Sequence, residues 1–415
     1  MTHSFWRSYG FLAAMLGCIV LGCAVGAVWP EAACLEPLGT VFINLMFCLV
    51  VPLVFCSLAG SLANMRSRRK AGRIMGATLA AFVVTGLFAA FLMLVLVRIF
   101  PPVLAPWTNI AAGTVDAPTP LSTLIVNFFT VNDFSALLSR RAMLPLIVFS
   151  LLFGFSVSAC GGPDTVTARV LDDATKCLLK MVSLVSCYAP IAFFGFFAAM
   201  VANYGPQITA AYGRAMALYY PLCFVYALAA FPLLAYLGAG RAGVRTLRRH
   251  ILRPAVTALG TCSSVATIPA NMEAAEESGV PHEVSDLVLP LGATMHMDGS
   301  CFSCVLKVAF LFGVFGLPFE GAGLFLRVLA VAVFSSVAMS GIPGGGYIAE
   351  FILCSLFFPE QMAVAYPIAV TIGNLVDPPA TMVNAAGDYA VSFLVARCTE
   401  GRGWLERTAE EVGQP

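Results

Sequence analysis

Six ionisable side chains stand in otherwise apolar sequence: His296, Asp298, Lys307, Glu350, Asp377 and Asp388. A charge at membrane depth is costly, and it is kept where it meets a partner, a water-filled cavity or a transported ion. Asp377, Thr381, Asn384 and Asp388 follow one another at intervals of four, three and four residues, so they share one face of one helix. Two carboxylates, a hydroxyl and a carboxamide offer mainly oxygen, which suits a hard cation or an ammonium group. The neighbouring pair Pro378 and Pro379 is expected to disturb the helix beside Asp377 and free carbonyls as further ligands. The other reading of this face is a buried polar network that joins helices. Two acids with no basic residue near them on their own helix favour a binding face.

Two polar interruptions must help to position it. SSVA at Ser263–Ala266 runs on as TIP, and SSVA at Ser335–Ala338 runs on as MSGIPGGG. A membrane helix broken at mid-depth offers its freed backbone groups to a substrate or an ion, and half-helix N-termini aim partially positive N–H groups at carboxylates. Gly341, Gly344, Gly345 and Gly346 permit close backbone approach, and Pro343 stiffens the turn. Apolar sequence flanks the second interruption on both sides with too few residues for two full crossings, which argues against a surface loop.

The composition is 60% hydrophobic and 11% charged across 415 residues. A soluble chain draws about a quarter of its residues from the charged types, so this is a multispan membrane protein in contact with a lipid bilayer. Apolar spans are predicted near 10–29, 39–61, 75–100, 143–161, 176–203 and 215–239, followed by an irregular half from Pro254 onward. Basic residues cluster after the second span (Arg66, Arg68, Arg69, Lys70, Arg73) and after the sixth (Arg241, Arg245, Arg248, Arg249, Arg253), which puts both loops and both termini in the cytoplasm. A net charge of +1 gives no support to a nucleic-acid role. The first span is read as a retained helix, although Val20–Cys23 has the look of a lipoprotein cleavage site. Most of the 14 cysteines sit in apolar spans as small hydrophobes, and the single CxxC at Cys301 and Cys304 lacks a second pair for zinc.

Four segments resemble the dicarboxylate/amino acid:cation symporter family, which includes the glutamate transporters. SSVATIP (Ser263–Pro269) resembles its first hairpin tip, LPLGATMHMDGS (Leu289–Ser300) its unwound seventh helix, SGIPGGG (Ser340–Gly346) its second hairpin tip, and DPPATMVNAAGD (Asp377–Asp388) its eighth helix. The resemblance implies an all-α polytopic membrane protein of eight transmembrane helices plus two re-entrant helical hairpins. It also implies an elevator mechanism, a homotrimer and a place in the inner, cytoplasmic membrane. Helices 1–2 (1–74) and 4–5 (143–214) would form the scaffold. Helix 3 with an outer loop (75–142), helix 6 (215–250) and everything in 251–415 would form the transport domain. By the same correspondence Ser263, Ser264, Gly341, Asp377, Ala380, Thr381 and Asn384 line the substrate site, with Asp377 taking an amino group and Asn384 meeting the α-carboxylate. Asp388 with backbone of Gly292, His296 and Asn384 matches one sodium site, and backbone around Thr294, Met297, Ser336, Val337 and Met339 a second. No organic cofactor is expected.

Departures from the family pattern bear on the substrate. Acidic-amino-acid members pair the side-chain carboxylate with an arginine where this chain has Ala380, and Cys262 replaces the arginine some members carry at the first tip. A second carboxylate without a guanidinium would be buried unpaired. Dicarboxylate carriers of the family tend to lack the acid kept here as Asp377. A neutral amino acid is therefore the expected substrate, with an acidic amino acid or C4-dicarboxylate as the alternative. Lys307 and Glu350 are unusual charges for the family. They pair with each other or, alternatively, Lys307 serves the substrate. A third sodium site would draw on His296, Asp298, Phe82, Thr85 and Gly86, of which only Asp298 and Thr85 keep the family's oxygens. His296 with Asp298 therefore either carries a proton or acts as a fixed structural pair. An ion channel or an intramembrane enzyme ranks lower, because the residues before Asp388 are Ala385, Ala386 and Gly387 and lack the first glycine of a GxGD protease motif.

Overall fold

Backbone amides that cannot reach water must bond to one another, and this chain closes those bonds in helices. The computed structural model describes residues 17–63, 69–107, 130–139, 142–204, 207–338 and 346–411, with the single positions 14 and 126. The chain begins with α1 (Gly17–Val28) and a 3-10 turn, Pro30–Leu35. Then come α2 (Glu36–Ala63), α3 (Arg69–Ile99), α4 (Met143–Ala159), α5 (Val166–Ser186), α6 (Ala189–Tyr204) and α7 (Gln207–His250). The second half runs α8 (Leu252–Thr261), α9 (Ser264–Glu277), α10 (His282–Met295), α11 (Asp298–Val314), α12 (Ala322–Ala338), α13 (Gly346–Phe357), α14 (Met362–Glu400) and α15 (Trp404–Glu411). Among the described residues, Arg73–Ile99, Ala210–His250 and the broken stretch His282–Val314 are long and apolar enough to cross a membrane.

Two expectations need correction here. The span predicted at 176–203 is two helices, α5 and α6, parted at Cys187 and Tyr188. Pro190 has no N–H with which to continue the ladder of α5, and the Tyr188 hydroxyl at the boundary donates to Leu38 O of α2 at 3.1 Å. α14 runs unbroken from Met362 to Glu400, so Pro378 and Pro379 do not interrupt it, but they do free the carbonyls of Asn374 and Leu375 as expected. Pro379 has no N–H for Leu375 O, and the Tyr220 hydroxyl donates to that carbonyl at 2.8 Å. A hydroxyl from α7 thus replaces the missing helix bond.

The packing divides into two groups. α2 lies against α4, α5 and α6, while α14 lies against α3, α7, both arms α8 and α9, both halves α10 and α11, and α13. α1 reaches α6 through Gly22 and Gly26. A Cβ at Gly22 would stand 2.5 Å from Phe194 O, and one at Gly26 would strike Ala198 O. Small residues four apart let helix backbones approach this closely where lipid leaves no hydrophobic drive between them.

Candidate functional site

The first interruption is a helical hairpin. α8 ends at Cys262, whose φ of 49° makes it the one non-glycine with positive φ among the described residues, and α9 starts two residues later. Ser263 caps α9, with its hydroxyl accepting from the Ala266 N–H at 3.2 Å. The Thr267 hydroxyl donates to Ser263 O at 2.9 Å. Both Ser263 and Ser264 are buried. The first N–H groups of α9, which have no partner within the helix, therefore open at an inward tip. Asn271, further along α9, donates to Ala385 O at 2.7 Å and ties this arm to α14.

The apolar stretch that follows is also interrupted. α10 stops at Met295 and α11 begins at Asp298, with extended backbone at His296 (φ −94°, ψ 101°). The break turns the His296 ring into the packed interior. His296 Nδ1 lies 2.8 Å from Asp388 Oδ1, and Nε2 lies 3.0 Å from Thr85 Oγ1 and 3.3 Å from Asp298 Oδ2. The Tyr226 hydroxyl donates to Asp298 Oδ2 at 2.7 Å, and Phe82 stacks on the imidazole at 4.5 Å. All three ionisable residues are fully buried. The imidazole therefore bridges two carboxylates and joins α3, the break and α14.

Each carboxylate keeps one oxygen, Asp298 Oδ1 and Asp388 Oδ2, with no hydrogen-bond partner among the described residues. Gly292 lies so close to Asp388 that a Cβ there would strike the carboxylate. A free anionic oxygen beside bare helix backbone is a donor set that fits a small hard cation. Nearby, a cavity of about 60 Å³ is lined by Phe82, Gly86, Met295, Met297, Cys301 and Ser336. One water needs roughly 10–15 Å³ on that measure, so the space is large enough for water, while Leu79, Val83 and Val333 make most of its lining apolar.

Asn384 works as a clamp. Its Oδ1 accepts from the Gly299 N–H at 2.8 Å, and its Nδ2 donates to Ser300 Oγ at 3.1 Å. The Tyr219 hydroxyl donates to Gly299 O at 2.7 Å. A Cβ at Gly299 would fall 2.5 Å from Ala380 O, so α11 starts directly against the backbone of α14. Thr381 is buried and donates to Asp377 Oδ1 at 3.3 Å, whereas Asp377 itself is exposed. Of the residues named from sequence, Thr85, Gly292, His296, Asp298, Asn384 and Asp388 thus come together, with Thr294, Met297 and Ser336 around them. Asp377 is solvent-accessible and lies within electrostatic reach of Cys262 at the first hairpin tip and of Tyr219 and Tyr220 of α7. Met339 and Gly341 lie outside the described residues, as does the side chain of Val337.

Lys307 and Glu350 pair with each other. Nζ meets Glu350 Oε1, and both side chains are buried. The pair occupies the room left by Gly373 of α14, where a Cβ would strike Glu350 Oε1 and come within 3.3 Å of Lys307 Nζ. Glu350 Oε2 lacks a hydrogen-bond partner among the described residues. Cys301 and Cys304 are free, buried thiols, with Cys301 Sγ 3.1 Å from Ser336 Oγ.

Three tyrosines of α7, Tyr219, Tyr220 and Tyr226, escaped the reading from sequence although each carries a hydrogen bond at the site. Tyrosine is ordinary in an apolar span, and only the fold reveals which hydroxyl meets a carboxylate or an orphan carbonyl.

Comparison with known proteins adds the chemical class. The model of the sodium:dicarboxylate symporter family matches residues 11–398. The C4-dicarboxylate transport protein of Caulobacter vibrioides is 28% identical over 389 residues, covering 91% of this chain and 92% of that protein. Those of Deinococcus radiodurans and Leptothrix cholodnii are each 27% identical, covering 91% and 99% of this chain and 87% and 94% of their own lengths. These relatives do not support the neutral amino acid expected from Ala380, and they fit the acidic alternative better. One missing arginine is weak grounds for excluding a second carboxylate, since a cation can reach a site from any element packed against it.

Proposed function

The chain belongs to the sodium:dicarboxylate symporter family, and we propose that it is a secondary symporter carrying a C4-dicarboxylate across the membrane together with sodium. Members of this family are transporters and not enzymes, so the intramembrane-protease reading falls away. The observation that carries the proposal is the pairing of an inward first-hairpin tip with a helix broken at His296 and Met297, both packed on the polar face of α14. One substrate carboxylate binds at the N–H groups beginning α9, near Ser263 and Ser264. Thr381 and Asn384 complete that end of the site, to which the family resemblance also assigns Gly341.

Sodium binds at Asp388 Oδ2 with carbonyl oxygens of Gly292, His296 and Asn384. A second sodium binds backbone oxygens from Thr294 to Met297 and from Ser336 to Met339, beside the 60 Å³ cavity. The His296 ring, held on both nitrogens, acts as the fixed structural bridge between Asp298 and Asp388. The group gathered around α14 is the moving transport domain, and α2 with α4, α5 and α6 belongs to the scaffold of a trimer. Both termini face the cytoplasm of a bacterial-type inner membrane.

The test is uptake of radiolabelled succinate into proteoliposomes under an inward sodium gradient, with potassium substituted as the control and unlabelled serine and aspartate as competitors. Sodium-dependent accumulation displaced by fumarate but not by serine is the expected result. Accumulation of serine with no entry of succinate overturns the proposal.

A further inference from the structure

Arginines that only mark topology need nothing built around them, yet those before the first hairpin border a groove. The backbone at Ala239 (φ −144°, ψ 23°) and Gly240 (φ 63°, ψ −149°) is non-helical, so α7 is two helices joined at a sharp turn that the glycine permits. Ile251 is helical (φ −66°, ψ −26°), its N–H donates to Leu247 O at 2.8 Å, and its carbonyl accepts from the Ala255 N–H at 3.1 Å. The stretch from Arg241 to Thr261 is therefore close to one continuous arm that ends at the inward tip, Cys262.

Arg241, Arg245, Arg248, Leu252 and Val256 follow one another along this arm at intervals of four, three, four and four residues. That is the spacing of a single helix face, about 22 Å long. All five are exposed, Leu252 by 70% and Val256 by 58%. The cations gather at the end away from the tip, and the apolar side chains on the part that runs toward it. Where the two meet, a groove of about 360 Å³ opens, to which the arm supplies Arg249, Leu252, Arg253 and Val256 and α9 supplies Glu273 and Glu277. A single water occupies roughly 10–15 Å³ on the same measure, so the groove has space for a ligand group. Both acids are engaged, Glu273 with Arg253, and Glu277 Oε2 with His250 Nδ1 at 2.7 Å. The side chains of Arg241, Arg245, Arg248 and Arg249 carry no ion pair or hydrogen bond among the described residues. One end of the groove thus holds surplus positive charge, and the other holds bare apolar surface.

A free anion would use only the arginines, and an uncharged lipid only Leu252 and Val256. A ligand that uses both is an anion with attached acyl chains, and the reading from sequence puts these arginines at the cytoplasmic surface of the bilayer. We propose that the groove between this arm and α9 is a binding site for an anionic phospholipid. Its phosphodiester is held by Arg249 and the unpaired arginines beside it, and an acyl chain lies along Leu252 and Val256. Bound there, the lipid ties the first hairpin to the cytoplasmic leaflet, whichever substrate the protein carries.

The test is thermal unfolding of the full-length protein, delipidated in detergent and titrated with dioleoylphosphatidylglycerol, dioleoylphosphatidylcholine or inorganic phosphate. Phosphatidylglycerol should raise the midpoint well above the value reached in phosphatidylcholine, and phosphate should leave it unchanged. An arginine at such a surface is worth about a fivefold change in affinity, so Arg245→Gln/Arg249→Gln should need roughly 25-fold more phosphatidylglycerol for the same rise. Leu252→Asp should blunt the rise with every arginine in place. All three side chains are exposed, so both variants should unfold like wild type before lipid is added. If the glutamine pair does not fold, Leu252→Asp and the comparison of the three ligands decide. An equal rise with phosphatidylcholine, a rise with phosphate alone, or a glutamine or aspartate variant that keeps the wild-type response overturns the site.

Discussion

Two buried charge clusters sit on one face of α14, about 22 Å apart along its axis from Gly373 to Asp388, and they are built on opposite principles. Around His296 the imidazole meets a carboxylate on each side, while Thr85, Tyr226 and Phe82 hold the remaining edges. Around Lys307 a long flexible ammonium meets one oxygen of Glu350, and the other oxygen has no described partner. Contacts on both ring nitrogens and a stacked phenyl fix the imidazole in one geometry, while Asp298 Oδ1 and Asp388 Oδ2 each keep no described partner. The first cluster therefore reads as a rivet through the broken helix and the second as a lone ion pair between α11 and α13.

Removing the rivet should have the largest effect. His296→Ala leaves two buried carboxylates with no bridging ring, and loss of such a partner costs about 3–5 kcal/mol. A drop in thermal stability of that order in detergent is expected, and an unchanged midpoint would break the contrast at its stronger end. Lys307→Met should come next, at about 3 kcal/mol, since it strands Glu350. Adding Glu350→Met should recover most of that loss, and a double variant no more stable than Lys307→Met would mean that the pair is held by more than its own charges.

Gly373→Ala sharpens the comparison, for its methyl would press on Glu350 Oε1. Overpacking of this kind costs roughly 1–3 kcal/mol, and the same substitution should raise the KM for succinate if the pair serves the substrate. The smallest effect is that of Tyr220→Phe, which strips the hydroxyl from Leu375 O. About 1 kcal/mol of stability is expected to go with that hydrogen bond. A larger loss, or a break of α14 at Pro379, would show that the hydroxyl and not the packing keeps that helix continuous.

Much of the site could be read in advance for simple reasons. The intervals from Asp377 to Asp388 are those of a helix face whatever surrounds it, and Ser263 with Pro and Gly signals announces a break wherever it falls. The split of the span at 176–203 was missed because hydropathy continues across Cys187 and Tyr188, and only Pro190 marks the boundary. The proline pair misled in the other direction. Local chemistry says that Leu375 O is orphaned, yet Tyr220, 155 residues away in sequence, supplies the bond. The helix position of Asp377 says which face it is on, and only the fold sets it, solvent-accessible, within reach of Cys262 at the first hairpin tip.

Residue types and their spacing were enough to establish a lipid-embedded helical chain, its two interruptions and the oxygen-rich stripe, because each depends on periodicity or transfer energy along a short stretch. Which charge meets which was settled only by packing. His296 faces Asp388 across 92 residues and Lys307 faces Glu350 across 43. The strength of such contacts depends on distance and on the removal of water, and both arise only when distant helices close around one another.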